Sequence, residues 1–197
     1  MLTYIDISAI YGIIFYSTCI SWFFFEMWVL FREDKKVSGK KIDKASRILA
    51  MVIIWLGILL GFIIMFITPH FDIKNYYLLF FIVGIFLAWS GLVFRFWSIQ
   101  TLGKYFHISV FINSDHKLIT SGPYRYLRNP SYTGEVITVL GLGLVMGNWL
   151  SVIAMLFYVL IVYSIRIPLE QKTLVEYFGQ EYTDYIKKTW ALIPFVW

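Results

Sequence analysis

Two stretches of the chain carry the side chains that could do chemistry. The first is the run Gly122-Pro123-Tyr124-Arg125-Tyr126-Leu127-Arg128-Asn129-Pro130-Ser131-Tyr132-Thr133-Gly134, dense in groups that shape backbone and bind polar ligands. Asn129-Pro130 forces a non-helical step just before an apolar stretch, so backbone N–H groups at the start of the following helix can meet an anionic or polar ligand. The plainer reading of the same residues is an interfacial turn with an aromatic anchor. The second is the pair Arg166 and Glu170, one helical turn apart and able to face the same side if the helix continues through Pro168. Here the plainer reading is a local ion pair.

Other chemistries find less support. His107 and His116 lie nine residues apart, with His70 far away in sequence, which does not favour a metal site. The single cysteine, Cys19, excludes a cysteine-ligated metal centre and an intrachain disulfide. Ser109 and Ser131 lack the context of a nucleophile elbow. No glycine-rich dinucleotide fingerprint follows a strand.

The elements that must position these residues are apolar. Of the 197 residues 59% are hydrophobic and only 15% charged, and mean hydropathy is +0.72. A soluble domain is typically about 45–50% apolar, so the solvent to reason with is lipid. Aromatics make up 20% of the chain and include eight Trp, as suits an amphipathic belt at the membrane interfaces. Four stretches have spanning character, residues 7–31, 48–68, 76–100 and 136–166, where about 20 apolar residues suffice. The last is too long for one pass. Gly147-Asn148-Trp149 divides it into a fourth helix starting near Tyr132 and a fifth ending near Arg166. The expected fold is an all-α integral membrane protein of five transmembrane helices, a single membrane domain over residues 1–197. The first apolar run is too long for a signal-peptide core of about 7–15 residues and is expected to be a retained helix.

Charge asymmetry orients the bundle, because loops rich in Lys and Arg stay in the cytoplasm. Arg32, Lys35, Lys36, Lys40, Lys41, Lys44 and Arg47 fill the connection between the first two spans. Placing them inside puts every basic residue except Lys74 at or beyond a cytoplasmic end, with the N-terminus outside and the C-terminus in the cytoplasm. The basic run is then a topology signal that also meets acidic headgroups of membrane lipids. It does not point to a nucleic-acid partner.

Two polar segments emerge on the same cytoplasmic face. Residues 102–131 join spans three and four. Residues 168–197 repeat Leu174, Phe178, Tyr182 and Ile186 every four positions against Glu170, Lys172, Glu176, Glu181 and Asp184. That pattern predicts an amphipathic tail of two short helices jointed at Gly179, lying on the membrane or capping a cytoplasmic pocket.

Over residues 102–194 the motifs resemble those of the isoprenylcysteine carboxyl methyltransferase-like membrane methyltransferases, within a wider group that includes the phospholipid methyltransferases. His116-Lys117-Leu118-Ile119 is similar to the family's His-x-Leu-Val element and Gly122-Pro123-Tyr124 to its Gly-x-Tyr. Arg128-Asn129-Pro130-Ser131-Tyr132-Thr133-Gly134 resembles its Arg-His-Pro-x-Tyr-x-Gly. Arg166, Glu170 and Phe178-Gly179-Gln180-Glu181-Tyr182 resemble its Arg, Glu-Glu and Phe-Gly-x-x-Tyr elements. Two positions depart from the pattern. Asn129 replaces a His and cannot titrate, and Gln171 leaves Glu170 as the sole carboxylate of its pair.

The resemblance implies S-adenosylmethionine as cofactor, held by His116, Lys117, Leu118, Ile119, Tyr124, Asn129, Pro130, Ser131, Tyr132 and Glu170. It implies Arg166 and Glu170 as catalytic residues, with Arg166 also binding the acceptor from the lipid-facing end of span five. Methyl transfer from a sulfonium needs positioning and exclusion of water more than acid–base groups. A carboxylate on a lipid-like or prenylated small molecule or peptide is therefore the expected acceptor, entering from the bilayer. Two other readings fit the same architecture: an NADPH-dependent reductase of lipid or sterol double bonds, and a non-catalytic membrane scaffold.

Overall fold

The computed structural model describes residues 7–32, 44–73, 76–106 and 117–196. Among the described residues six α-helices follow one another: α1 Ile7–Phe31, α2 Lys44–Ile67, α3 Tyr77–Leu102, α4 Pro130–Met146, α5 Trp149–Phe178 and α6 Gln180–Lys188. Short 3-10 turns occupy Pro69–Phe71, Gly103–Tyr105 and Gly122–Arg125. Among the described residues there is no strand; the only bridges are isolated ones, Asp72 to Asn148 and Leu127 to Trp190.

Ala9–Phe31, Tyr77–Tyr105 and Trp149–Phe178 are long and apolar enough to cross a membrane. Val52–Ile67 and Pro130–Met146 are shorter apolar helices. Large apolar side chains such as Ile13, Phe24 and Phe86 stand two-thirds or more exposed along the helices. So much exposed hydrocarbon on regular helices suits contact with lipid, and the protein is an integral membrane protein.

The core is the crossing of α3 and α4, the most extensive packing in the molecule. Its closeness follows from glycine. A Cβ on Gly84 would stand 2.7 Å from the Gly141 carbonyl oxygen, and one on Gly91 would stand 2.6 Å from that of Gly134. With no hydrophobic drive between helices in lipid, small residues that let backbones touch supply the dispersion energy of association. Thr138, fully buried in the same seam, donates back to the Gly134 carbonyl at 2.9 Å. α2 packs on α5, α5 on α4, and α1 lies more lightly against α3.

The α4–α5 hairpin turns where expected, at Gly147, whose φ of 69° is left-handed backbone that glycine tolerates. Asn148 then caps α5. Its Oδ1 accepts from the Ser151 N–H at 3.1 Å, while its Nδ2 donates to the Thr68 carbonyl at 2.9 Å and to Asp72 Oδ1 at 3.0 Å. One buried amide thereby pins the connection after α2 to the hairpin.

Two boundaries differ from the sequence expectation. α4 starts at Pro130, not near Tyr132, because proline is well suited to the first helical turn. α5 does not end near Arg166. It runs through Pro168 to Phe178, so the first of the two expected tail helices is its continuation. A lone proline removes one backbone bond, and the ion pair of Arg166 with Glu170 spans that position and supports the helix across it. The joint at Gly179 is present, with φ 58° ending α5 and opening α6.

Candidate active site

One end of the bundle is built from the start of α4 and the chain that follows α6. The turn Gly122–Arg125 folds Tyr124 inward, where its carbonyl accepts the Tyr185 hydroxyl at 2.6 Å. Arg128 N–H donates to the Trp190 carbonyl at 2.8 Å and Asn129 N–H to that of Ala191 at 3.2 Å. The Asn129 side-chain amide donates to the same Ala191 oxygen at 2.8 Å, and Thr133 Oγ1 donates to the Leu192 carbonyl at 2.6 Å. Arg128 Nη1 reaches the carbonyls of Ile186, at 3.0 Å, and Thr189, thereby neutralising the C-terminal end of α6. Burial raises the pKa of the Tyr124 and Tyr185 hydroxyls above the usual tyrosine value and pushes Tyr182 up to about 12. All three therefore remain neutral donors at neutral pH. Burial also lowers the pKa of the Arg128 guanidinium from its usual value.

Against this strapped end lies the constellation that can do chemistry. Tyr132, in the first turn of α4, donates its hydroxyl to Glu170 Oε1 at 2.6 Å. Arg166 donates to the same oxygen twice, from Nε at 3.1 Å and Nη2 at 2.7 Å. Three donors on one oxygen hold the Glu170 carboxylate in place. Tyr132 in turn stacks face to face on Tyr163, ring centres 4.2 Å apart and planes within 17°. Next to Glu170, the Gln171 Nε2 is buried and finds no hydrogen-bond partner among the described residues. A carboxylate so fixed can accept from the hydroxyls or ammonium of a polar ligand.

Residues 79–181 match the family profile described as phospholipid methyltransferase. The chain belongs to that family. A probable protein-S-isoprenylcysteine O-methyltransferase of Oryza sativa subsp. indica is 34% identical over 127 residues, covering 64% of this chain and 66% of that protein. The protein-S-isoprenylcysteine O-methyltransferase of Saccharomyces cerevisiae is 33% identical over 136 residues, covering 66% and 57%. A solved structure of a eukaryotic intramembrane Ras methyltransferase, ICMT (isoprenylcysteine carboxyl methyltransferase), superposes with a TM-score of 0.59 at 28% identity. That superposition covers 79% of this chain and 55% of the other. The alignments thus span two thirds or less of the lengths of these relatives.

Within this phospholipid methyltransferase family member, Tyr132, Arg166 and Glu170 come together. Ser131 and Pro130 are buried at the start of α4, and Tyr124 is buried beneath the strap. Lys117 is exposed and Leu118 and Ile119 are half-buried in irregular chain. Among the described residues no hydrogen bond joins them to Glu170. His116, His107, Ser109 and the basic residues 35–41 lie outside the described residues. Arg166 is buried and turned to Glu170, not set at a lipid-facing end. Among the described residues no group of His, Cys, Asp and Glu could hold a metal ion.

A second cluster was missed. Arg95, on α3, donates to Glu135 Oε2 on α4 at 2.6 Å and to Glu26 Oε2 on α1 at 3.0 Å. All three lie within or at the edge of the apolar stretches. An ionisable residue at membrane depth is costly enough to signal function by default, and that signal was present in the sequence. Arg95 also fits the charge rule for topology and Glu135 follows directly on the motif ending at Gly134, so neither stands out by position alone.

Proposed function

We propose that the protein transfers a methyl group from S-adenosylmethionine to an amphiphilic, lipid-like acceptor, most simply the carboxylate of a prenylated cysteine. The observation that carries this reading is the convergence of Tyr132, Arg166 and Glu170 in a chain whose relatives are named protein-S-isoprenylcysteine O-methyltransferases. The residues suit the cofactor. Glu170 takes ribose hydroxyls or the ammonium through Oε2, Gln171 Nε2 donates to the methionine carboxylate, and Tyr124 and Tyr132 frame the aromatic base. The family resemblance adds Lys117, Leu118 and Ile119 and the Asn129-Pro130-Ser131 turn to the residues that would hold the cofactor. When bound, the cofactor supplies an electrophilic methyl group on a sulfonium.

The chain's own residues then position and exclude water. Arg166, fixed by Glu170, is the cation that orients the acceptor carboxylate. The strap of α6 and residues 189–192 covers the polar end. A carboxylate is already ionised at neutral pH, so no general base is required. The acceptor's hydrocarbon would enter from the bilayer. An apolar cavity of about 310 Å³, lined by Phe15, Trp22, Trp55, Leu142, Met146 and Met155, lies between α1, α2, α4 and α5. Leu142 stands ten residues along α4 from Tyr132, about 15 Å by helical rise, within reach of a long chain.

This reading takes α1 to α5 as five crossings, with the N-terminus outside and the site and C-terminus in the cytoplasm. Calorimetric titration of the detergent-solubilised protein with S-adenosylmethionine tests it. Saturable binding is expected, lost in Glu170→Ala, and Arg166→Ala should lose methyl transfer while remaining folded in the membrane. Wild-type turnover in both variants would overturn the site assignment.

A further inference from the structure

The strap continues into a turn whose side chains face out of the protein. Residues 193–196 close on a hydrogen bond from the Val196 N–H to the Ile193 carbonyl at 3.2 Å, yet Phe195 is 87% exposed and Val196 76%. The two residues before the turn are the reverse: Ala191 and Leu192 are fully buried, in one apolar core with Ala88, Leu92 and Val139. Phe195 takes a left-handed φ of 64°, a costly backbone for a bulky residue, with its ring centre 4.7 Å from that of Trp190. In water, that strain would serve only to display apolar surface.

Depth identifies what covers the turn. Thr133 Oγ1 holds the Leu192 carbonyl at 2.6 Å, and the next residue, Gly134, packs directly on Arg95, where a Cβ would stand 2.7 Å away. Arg95 lies within the apolar span Tyr77–Tyr105, seven residues before the end of α3, or about 10 Å of helical rise. The strap therefore reaches in past the end of a membrane-spanning helix, and the turn leaves the bundle from that level. Beside it Trp190 N–H donates to the carbonyl of Tyr126, whose exposed ring carries the Arg125 guanidinium at 5.7 Å. Lys187 and Lys188 stand exposed in the last turn of α6. Aromatic rings mixed with cations are the chemistry of a headgroup boundary, where water still reaches the carbonyls of irregular backbone. We propose that residues 193–196 are a membrane anchor for the strap: Phe195 and Val196 enter the headgroup boundary of the adjoining leaflet and so hold residues 189–192 against the start of α4. The contact is independent of the cofactor's identity; its effect on cofactor binding rests on the donor reading above.

Val196→Cys in a Cys19→Ala background, labelled with the environment-sensitive fluorophore NBD in phosphatidylcholine nanodiscs, tests the contact. Glu181→Cys, exposed on α6, is the reference. The label at 196 is expected to emit further to the blue and to be quenched by lipids carrying a nitroxide near the headgroup, with the label at 181 unaffected. Matching, unquenched emission at the two positions would overturn the proposal. So would a blue-shifted label that the nitroxides leave bright, because another protein or a second copy of the chain would then cover the turn. The double variant Phe195→Ser, Val196→Ser supplies a second arm. Tryptic cleavage at Lys187 and Lys188 in nanodiscs should be roughly tenfold faster with α1 to α5 intact, since cleavage follows the population of the open strap. Unchanged cleavage would overturn the anchoring role. The same variant should bind S-adenosylmethionine more weakly than the wild type. A quenched label and faster cleavage in a protein whose wild type binds no S-adenosylmethionine would sink the donor reading and leave the anchor standing.

Discussion

Two charged clusters occupy one bundle and are built in opposite ways. Arg166 and Glu170 sit four residues apart on α5, their side chains 10% and 19% exposed. Glu26, Arg95 and Glu135 come from three helices, with Arg95 and Glu135 side chains 9% and 3% exposed. The first pair can form before the bundle assembles, because it needs only helix. The second exists only when α1, α3 and α4 have met, so its formation reports assembly and its loss must disturb assembly. Local clusters of this kind can be lost at lower cost to the fold. Non-local ones at membrane depth cannot be lost one partner at a time.

That contrast sets the largest expected effect. Arg95→Ala leaves Glu135 buried without its cation and should destabilise the protein by about 3–5 kcal/mol. Glu170→Ala leaves the buried Arg166 and the Tyr132 hydroxyl without their acceptor and should cost about 1–3 kcal/mol, less than Arg95→Ala because the pair is local, while abolishing methyl transfer. Thermal unfolding in detergent separates the two, and equal losses would break the comparison. The triple replacement Glu26→Leu, Arg95→Met and Glu135→Leu sharpens it. That variant should recover most of the lost stability. Next in size is the seam that lets the second cluster form. A Cβ on Gly141 would already fall on the backbone of Gly84 and Ala88, so Gly141→Leu should cost about 1–3 kcal/mol or more as α3 and α4 are forced apart. Thermal unfolding also checks this, and an unchanged midpoint would show the seam to be looser than its glycines require.

The same contrast explains what the sequence disclosed. Apolar runs gave α1 at its full extent, and α2 and α3 to within a few residues, because a helix is closed by backbone hydrogen bonds and need not stop where hydrocarbon does. The helix runs past Arg166 for that reason, with the Arg166–Glu170 ion pair spanning Pro168. Arg166 and Glu170 were legible because helical periodicity alone brings positions four apart together. Tyr132 was legible only through its place in a motif. Glu26 and Glu135 are 69 and 40 positions from Arg95, and no local pattern encodes which faces of three helices will meet. Gln171 is legible as a departure from the family pattern, but that its amide is buried without a partner among the described residues is a fact of packing.

The smallest effect concerns Asn129, where the family resemblance leads one to expect histidine. Here the side-chain amide donates to the Ala191 carbonyl at 2.8 Å, beside the backbone bond from the same residue to the same oxygen. A task met by a neutral, non-titrating donor needs no proton transfer, which is a physical account of why asparagine serves at this position. Asn129→Ala should loosen the strap by about 1 kcal/mol, the net worth of one neutral hydrogen bond, and be seen as faster proteolysis after α5 with the bundle intact. The pH dependence of methyl transfer should be the same in Asn129→Ala as in the wild type, because no ionisable group has been removed. A changed pH profile would mean that Asn129 tunes an ionisable group in the site, placing it with Glu170 and not with the strap.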